Sequence, residues 1–224
     1  MKTQAVVTGA AGILGQAVCS ALSAEGYAVI GIDRAPQTDG NDMAAYLGSV
    51  DLTDADAARR AIEEAVERRG PIAALVNVAG AFRWETIADG DVATWATLFD
   101  INLRTAVNCT RAALPSLRAE RGGIVNIGAA SAIKAAAGMG AYAASKAGIA
   151  KLTEALADEE KDNGVRVNAV LPSIIDTPAN RADMPDAEFD RWVKPERVAS
   201  VIAFLLSGKA SAITGACIPV TGRC

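Results

Sequence analysis

The chain reads as an α/β protein: one doubly wound parallel sheet of seven strands with helices on both faces. Three observations lead there. Short β-branched runs alternate with longer helical stretches along all 224 residues. The strand-like runs are continuously apolar, as expected of strands covered on both sides. Repeated β-α-β units require parallel neighbours.

Strands are predicted over residues 5–8, 28–32, 46–50, 73–78, 124–127, 166–170 and 216–220. Helices are predicted over 15–25, 54–69, 91–120, 141–163 and 195–206. Asp54 and Asp56 open the second helix, and Arg68, Arg69 and Gly70 close it, which suits the helix dipole. Asn163-Gly164 ends the fourth. No long linker or repeat interrupts the pattern, so a single domain over 1–224 is expected. Residues 173–194 alone break the rhythm. They are polar, carry Pro178, Pro185 and Trp192, and follow a strand, where a lid over a ligand crevice belongs. An ordinary surface loop is the alternative.

Composition excludes several classes. With 51% hydrophobic and 21% charged residues, the chain is not disordered. A net charge of −4 without a basic run leaves no electrostatic footprint for nucleic acid, and 4% aromatic residues leave no stacking platform. There is no histidine, which removes the Ser-His-Asp triad and imidazole zinc sites. Cys19, Cys109, Cys217 and Cys224 form no Cys-x-x-Cys pair, so no metal is expected. Met1-Lys2-Thr3-Gln4 runs straight into a strand-like segment without a signal-peptide core. The weakly polar stretch 124–133 is too short to span a bilayer and stops at Lys134. A cytoplasmic protein without membrane contact is expected.

The chemistry begins at Thr8-Gly9-Ala10-Ala11-Gly12-Ile13-Leu14-Gly15, between the first strand and first helix. Glycines there let the backbone approach a pyrophosphate, and the helix N-terminus presents free N–H groups to it. Asp33 ends the next strand, where a carboxylate accepts from the ribose hydroxyls of an adenosine. It would repel a 2′-phosphate and so favours NAD; Arg34 beside it would clamp that phosphate, which keeps NADP open. Tyr142 and Lys146 stand at i and i+4 on one helix face. A tyrosine with a reference pKa of about 10 needs to fall by roughly 2–3 units to exchange protons near neutrality. A nearby ammonium shifts it in that direction.

Together these residues resemble the short-chain dehydrogenase/reductase family, over nearly the whole chain. The glycine turn, Asp51-Leu52, Asn77-Val78-Ala79-Gly80, Asn102, Tyr142-Ala-Ala-Ser-Lys146 and Pro172…Thr177 carry the resemblance. It implies a Rossmann fold and hydride transfer between a nicotinamide and a small carbonyl or alcohol. Tyr142 would be the acid/base. Lys146 would lower its pKa and hold the nicotinamide ribose, and Asn102 would support a proton-relay water. Gly9, Gly12, Ile13, Leu14, Gly15, Asp33, Arg34, Asp51, Leu52, Asn77, Ala79, Gly80, Pro172, Ile175 and Thr177 would bind the cofactor. The helices over 91–120 and 141–163 would pair in a homodimer or homotetramer.

One departure matters. The serine usual in this family, about 13 residues before the tyrosine, is replaced by Ala129. Ser131 would supply the hydroxyl if extended geometry continued to it. Alternatively the substrate needs none, or catalysis has been lost and the protein is a cofactor-binding sensor or scaffold. An alanine there resembles the dihydropteridine reductases, members of this family, as does the segment 176–189 followed by Trp192. Their quinonoid substrate takes hydride into a conjugated ring, so less charge builds on one oxygen. Phe82, Ala129, Arg181 and Trp192 are then the candidate substrate residues. Each of Phe82 and Trp192 also has a plain reading as packing, and Arg181 as a cap on the lid. A nucleoside-sugar epimerase fits the glycine spacing but would need a larger substrate domain.

Overall fold

The computed structural model describes residues 3–37 and 42–224. Met1-Lys2, on which the expectation of no leader partly rested, lies outside them. The strands are β1 (Gln4–Thr8), β2 (Ala28–Ile32), β3 (Ala45–Leu47), β4 (Ile72–Asn77), β5 (Gly123–Ile127), β6 (Arg166–Pro172) and β7 (Cys217–Val220). The helices are α1 (Ile13–Ala24), α2 (Ala55–Arg69), α3 (Val92–Phe99), α4 (Thr105–Glu120), α5 (Gly140–Glu160), α6 (Pro178–Asp183) and α7 (Pro195–Leu206). The strands form one sheet in the order β3-β2-β1-β4-β5-β6-β7, all neighbours parallel.

The apolar runs are continuous because alternate residues enter different cores. On β1, Ala5 and Val7 pack with α1 and α7, while Val6 points through the sheet to α2 and α4. Burying both faces is what fixes each register, since a one-residue slip would exchange the two faces. Asp54 caps α2 by accepting from the Ala57 N–H at 2.8 Å, and Gly70 ends it at φ +92°. Between α4 and α5, Arg118 donates to the buried Glu160 carboxylate at 2.6 and 2.8 Å, holding it below the usual carboxylate pKa.

Two expectations change. The third strand is three residues, not 46–50, because Ser49 turns to φ +60° and ends the extended run. The single helix expected over 91–120 is α3 and α4 joined by a π-turn at Asp100–Arg104. The sheet order reverses between β1 and β4. There the loops leave in opposite directions and open a crevice beyond the strand C-termini.

Candidate active site

The crevice is a cleft of about 840 Å³. Its floor is the turn after β1. Gly9 has φ +64°, and a Cβ there would lie 2.8 Å from the Ala79 nitrogen. Thr8 Oγ1 accepts from the Val78 and Ala79 N–H groups at 3.1 and 3.2 Å, tying this turn to the end of β4. A Cβ on Gly15 would meet the Gly9 carbonyl oxygen. Both glycines are therefore demanded by the fold. Gly12 is not: a Cβ there meets nothing closer than the Gly9 oxygen at 3.4 Å.

That difference tests the fit of a dinucleotide. Helix α1 starts at Gly12 without a side-chain cap and without an acid in its first turn. The first-turn N–H groups of a helix have no intrahelical acceptor. Ile13, Leu14 and Gly15, the residues of that first turn, line the cleft wall. Open space at Gly12 beside free donors suits a pyrophosphate. Next to it, Asp33 accepts from the Ala11 and Ala35 N–H groups, each at 2.9 Å, which fixes its carboxylate at the cleft edge. Exposed Arg34 lines the same edge. Asp51 accepts from the Thr53 N–H and hydroxyl, which lower its pKa, and Leu52 stands beside it in the wall. Ala79, Gly80, Ile175 and Thr177 complete the lining on the far side.

Tyr142 and Lys146 share the inward face of α5. Lys146 is 4% exposed, and among the described residues its ammonium makes one hydrogen bond, to the Ile127 carbonyl at 2.8 Å. A buried ammonium with two unused protons beside open space suits the hydroxyls of a ribose. Burial lowers its pKa to about 8. Its Nζ lies 6.0 Å from the Tyr142 ring centroid. Phe82 stands edge-on to that ring, centroids 4.9 Å apart, and is itself 52% exposed at the cleft mouth. Burial pushes the Tyr142 hydroxyl up to about 12. This corrects the expectation that Lys146 lowers it. In the ligand-free protein burial is what shifts it, and the tyrosine holds its proton.

Asn102 sits in the π-turn, a helix irregularity frequent at functional sites. Its Oδ1 accepts from the Ala81 N–H at 2.8 Å. Its Nδ2 donates to the Ala81 carbonyl at 3.0 Å and to Ser145 Oγ at 2.9 Å. Both amide protons are thus used, so the side chain has none left to offer a relay water.

Several expected site residues lie elsewhere. Asn77 pairs in register with Asn126 on β5 and donates to its Oδ1 at 2.8 Å and to Thr110 Oγ1 at 3.2 Å. It braces the sheet below the cleft and does not line it. Pro172, at the buried end of β6, is also outside the lining. Ala129 is buried and extended, but the backbone then turns into a 3-10 helix at Ala130–Ala132. Extended geometry does not reach Ser131, and the condition for it to replace a hydroxyl at 129 fails. Its buried Oγ has no partner among the described residues and is not part of the cleft lining.

The segment 173–194, expected as a lid, is folded and borders the cleft. Ile175 bridges to Val193, Thr177 caps α6, and Pro178 and Ala179 roof the cleft. Arg181 is committed within it. Its guanidinium makes a bidentate pair with Asp176 at 2.6 and 2.8 Å and covers the Phe189 ring at 4.7 Å. Trp192 is 7% exposed, 4.8 Å from Phe189, and anchors the lid from below. Both serve lid packing, with neither in the cleft lining. Sequence reasoning missed Ile101, inside the π-turn, and Thr105, just after it, which line the cleft, because no residue pattern marks such a turn. It also passed over Ser145, visible inside Tyr-Ala-Ala-Ser-Lys but given no role.

This geometry is that of a nucleotide-dependent oxidoreductase. The short chain dehydrogenase family model matches residues 3–188, and the chain belongs to that family. It is 31% identical to an acetoacetyl-CoA reductase of Allochromatium vinosum, over 99% of this chain and 98% of the relative. It is 32% identical to the 3-oxoacyl-[acyl-carrier-protein] reductase FabG of Thermotoga maritima, over 97% and 95%. A galactitol 2-dehydrogenase of Rhizobium johnstonii is 35% identical over 97% and 93%. Among solved structures, the ligand-free aldohexose dehydrogenase of Thermoplasma acidophilum superposes with a TM-score of 0.90 at 28% identity, over 99% and 93%. No helix among the described residues is long and apolar enough to cross a membrane.

Proposed function

We propose that the protein interconverts a small carbonyl compound and its alcohol with NAD(H), Tyr142 acting as acid/base. The observation that carries this is the placing of Tyr142 and Lys146 on one inward helix face of the cleft that holds the glycine turn. A bound nicotinamide supplies or accepts the hydride. Ile13, Leu14 and Gly15 offer N–H groups to the pyrophosphate, Asp33 and Asp51 stand at the adenosine end, and Lys146 faces the nicotinamide ribose. Asp33 favours a free 2′-hydroxyl, hence NAD over NADP, with Arg34 as the residue through which NADP enters. In reduction, Tyr142 Oη gives its proton to the substrate oxygen. Its high pKa keeps that proton on until the oxygen becomes basic. The Lys146 ammonium then stabilises the phenolate left behind. Ile175 and Thr177 close the cofactor end under the lid.

Tyr142→Phe tests this directly. Turnover is expected to vanish, with cofactor affinity within about twofold of wild type, since a ring without its hydroxyl still packs on Phe82. Unchanged turnover would refute the assignment.

A second reading, reduction of a quinonoid pterin, is favoured by Ala129. The family's serine is absent at that position, and loss of an oxyanion donor typically lowers rate by about a hundred- to a thousand-fold. A substrate that spreads charge over a conjugated ring avoids that loss, and Phe82 at the mouth offers it a flat wall. Ala129→Ser separates the two readings: it raises turnover of simple ketones and leaves a pterin reductase unimproved. We further place the protein in the cytoplasm as a homodimer or homotetramer, with exposed Val107 on α4 and Phe99 on α3 among the apolar residues available to a second copy.

A further inference from the structure

We infer that Ser145 is a positioning residue: through Asn102 it holds Tyr142 in register with the Gly80–Ala81 segment across the cleft. This rests on the assignment of Tyr142 as acid/base. Ser145 is fully buried on α5, between Tyr142 and Lys146 in sequence. Its hydroxyl donates to the Tyr142 carbonyl at 2.7 Å and accepts from Asn102 Nδ2 at 2.9 Å. Asn102 spends its remaining capacity on Ala81, taking its N–H and donating to its carbonyl. One hydroxyl therefore joins three segments: the helix carrying Tyr142, the π-turn, and the stretch after β4 that lines the cleft.

Space around the junction is tight. A Cβ on Gly80 would lie 2.7 Å from Asn102 Oδ1 and 3.2 Å from Lys146 Nζ. The clamp and the ammonium thus converge on one point. A π-turn departs from regular helical bonding, and here its one fully buried side chain serves as the connector. Removing the Ser145 hydroxyl leaves an Asn102 amide proton buried without an acceptor. The side chain then has reason to reorient and release Ala81. Helix α5 keeps its backbone bonds and its buried apolar face, so the change falls on position, not on folding.

The test is Ser145→Ala in the full chain, with Tyr142→Phe and wild type in parallel. Displacement of a reacting group by about 1 Å lowers rate up to a hundredfold. We expect kcat to fall roughly ten- to a hundredfold, with KM and cofactor Kd within about threefold. A second readout needs no substrate: the ring-carbon NMR titration of labelled tyrosine, with Tyr27→Phe and Tyr46→Phe assigning the signals. In Ser145→Ala the Tyr142 signal shifts and its ionisation begins at lower pH as the ring loosens, while Tyr27 and Tyr46 stay. Unchanged kcat and an unchanged Tyr142 titration overturn the inference, even where Tyr142→Phe is inactive. An active Tyr142→Phe instead overturns the assignment beneath it.

Discussion

Replacing Lys146 by Met is expected to make the cofactor-free protein more stable while abolishing its activity. The ammonium is buried with one hydrogen bond, and burial brings its pKa from 10.5 to about 8. The unfolded chain binds this proton more tightly than the folded one. At pH 7 the gap of roughly 2.5 units, at about 1.36 kcal/mol per unit, is a cost of about 3 kcal/mol. Losing the bond to the Ile127 carbonyl returns about 1 kcal/mol of that. A net gain of about 2 kcal/mol raises Tm by roughly 4–8 °C for a chain of this size. The sign depends on pH. Between pH 8 and 10.5 the unfolded state holds the proton that the folded state has released, so wild-type stability rises there and the variant's advantage fades. Methionine fills similar volume, so packing changes little. Thermal denaturation of both proteins at pH 7 and pH 10 reads the effect. Equal Tm at pH 7, or an advantage that grows toward pH 10, would refute the reasoning. Added NADH should then raise the wild-type Tm more than the variant's, because the charge finds its partner only in the complex.

Other outcomes follow from the same geometry. Gly12→Ala should fold with a Tm near wild type yet lose NADH binding by tenfold or more, whereas Gly9→Ala, forced to φ +64° against Ala79, should lower Tm as well. Fluorescence titration and calorimetry separate the two. In the reductive direction, kcat/KM should fall above about pH 8 as Lys146 loses its proton, and a flat profile to pH 10 would contradict that. Arg118→Ala should lower Tm at pH 7 by uncovering the Glu160 carboxylate. Because that carboxylate's pKa is depressed by the pair, the difference is lost as pH falls through the acid range, which a pH series of melts would show.

Much of this was legible in residue order. The strands announced themselves because both faces of each are buried, and the glycine turn because only glycine tolerates Gly9's backbone and its neighbours. Spacing placed Asp33 at a strand end and Tyr142 and Lys146 on one helix face, and both places line the cleft, while their roles came from the family resemblance. What was not legible depends on contacts between distant segments. Asn77 falls within a cofactor-side motif, but its register partner Asn126, 49 positions away, turns it into the sheet. Arg181 is claimed by Asp176 and Phe189 once the lid folds. The π-turn at Asn102 has no composition of its own. The raised pKa of Tyr142 comes from its burial, which spacing on one helix does not reveal. Whether Ser131 could replace the hydroxyl hung on extended geometry that the chain leaves one residue after Ala129.

The central claim is hydride transfer at Tyr142 without a serine. The most direct measurement is NADH oxidation by the purified protein, with NADPH in parallel, over a panel of simple ketones and a quinonoid dihydropterin. The account expects consumption of cofactor with at least one of them, faster with NADH, and absent in Tyr142→Phe. Tight NADH binding with no oxidation by any substrate would contradict it and make the cleft a sensor of the cofactor.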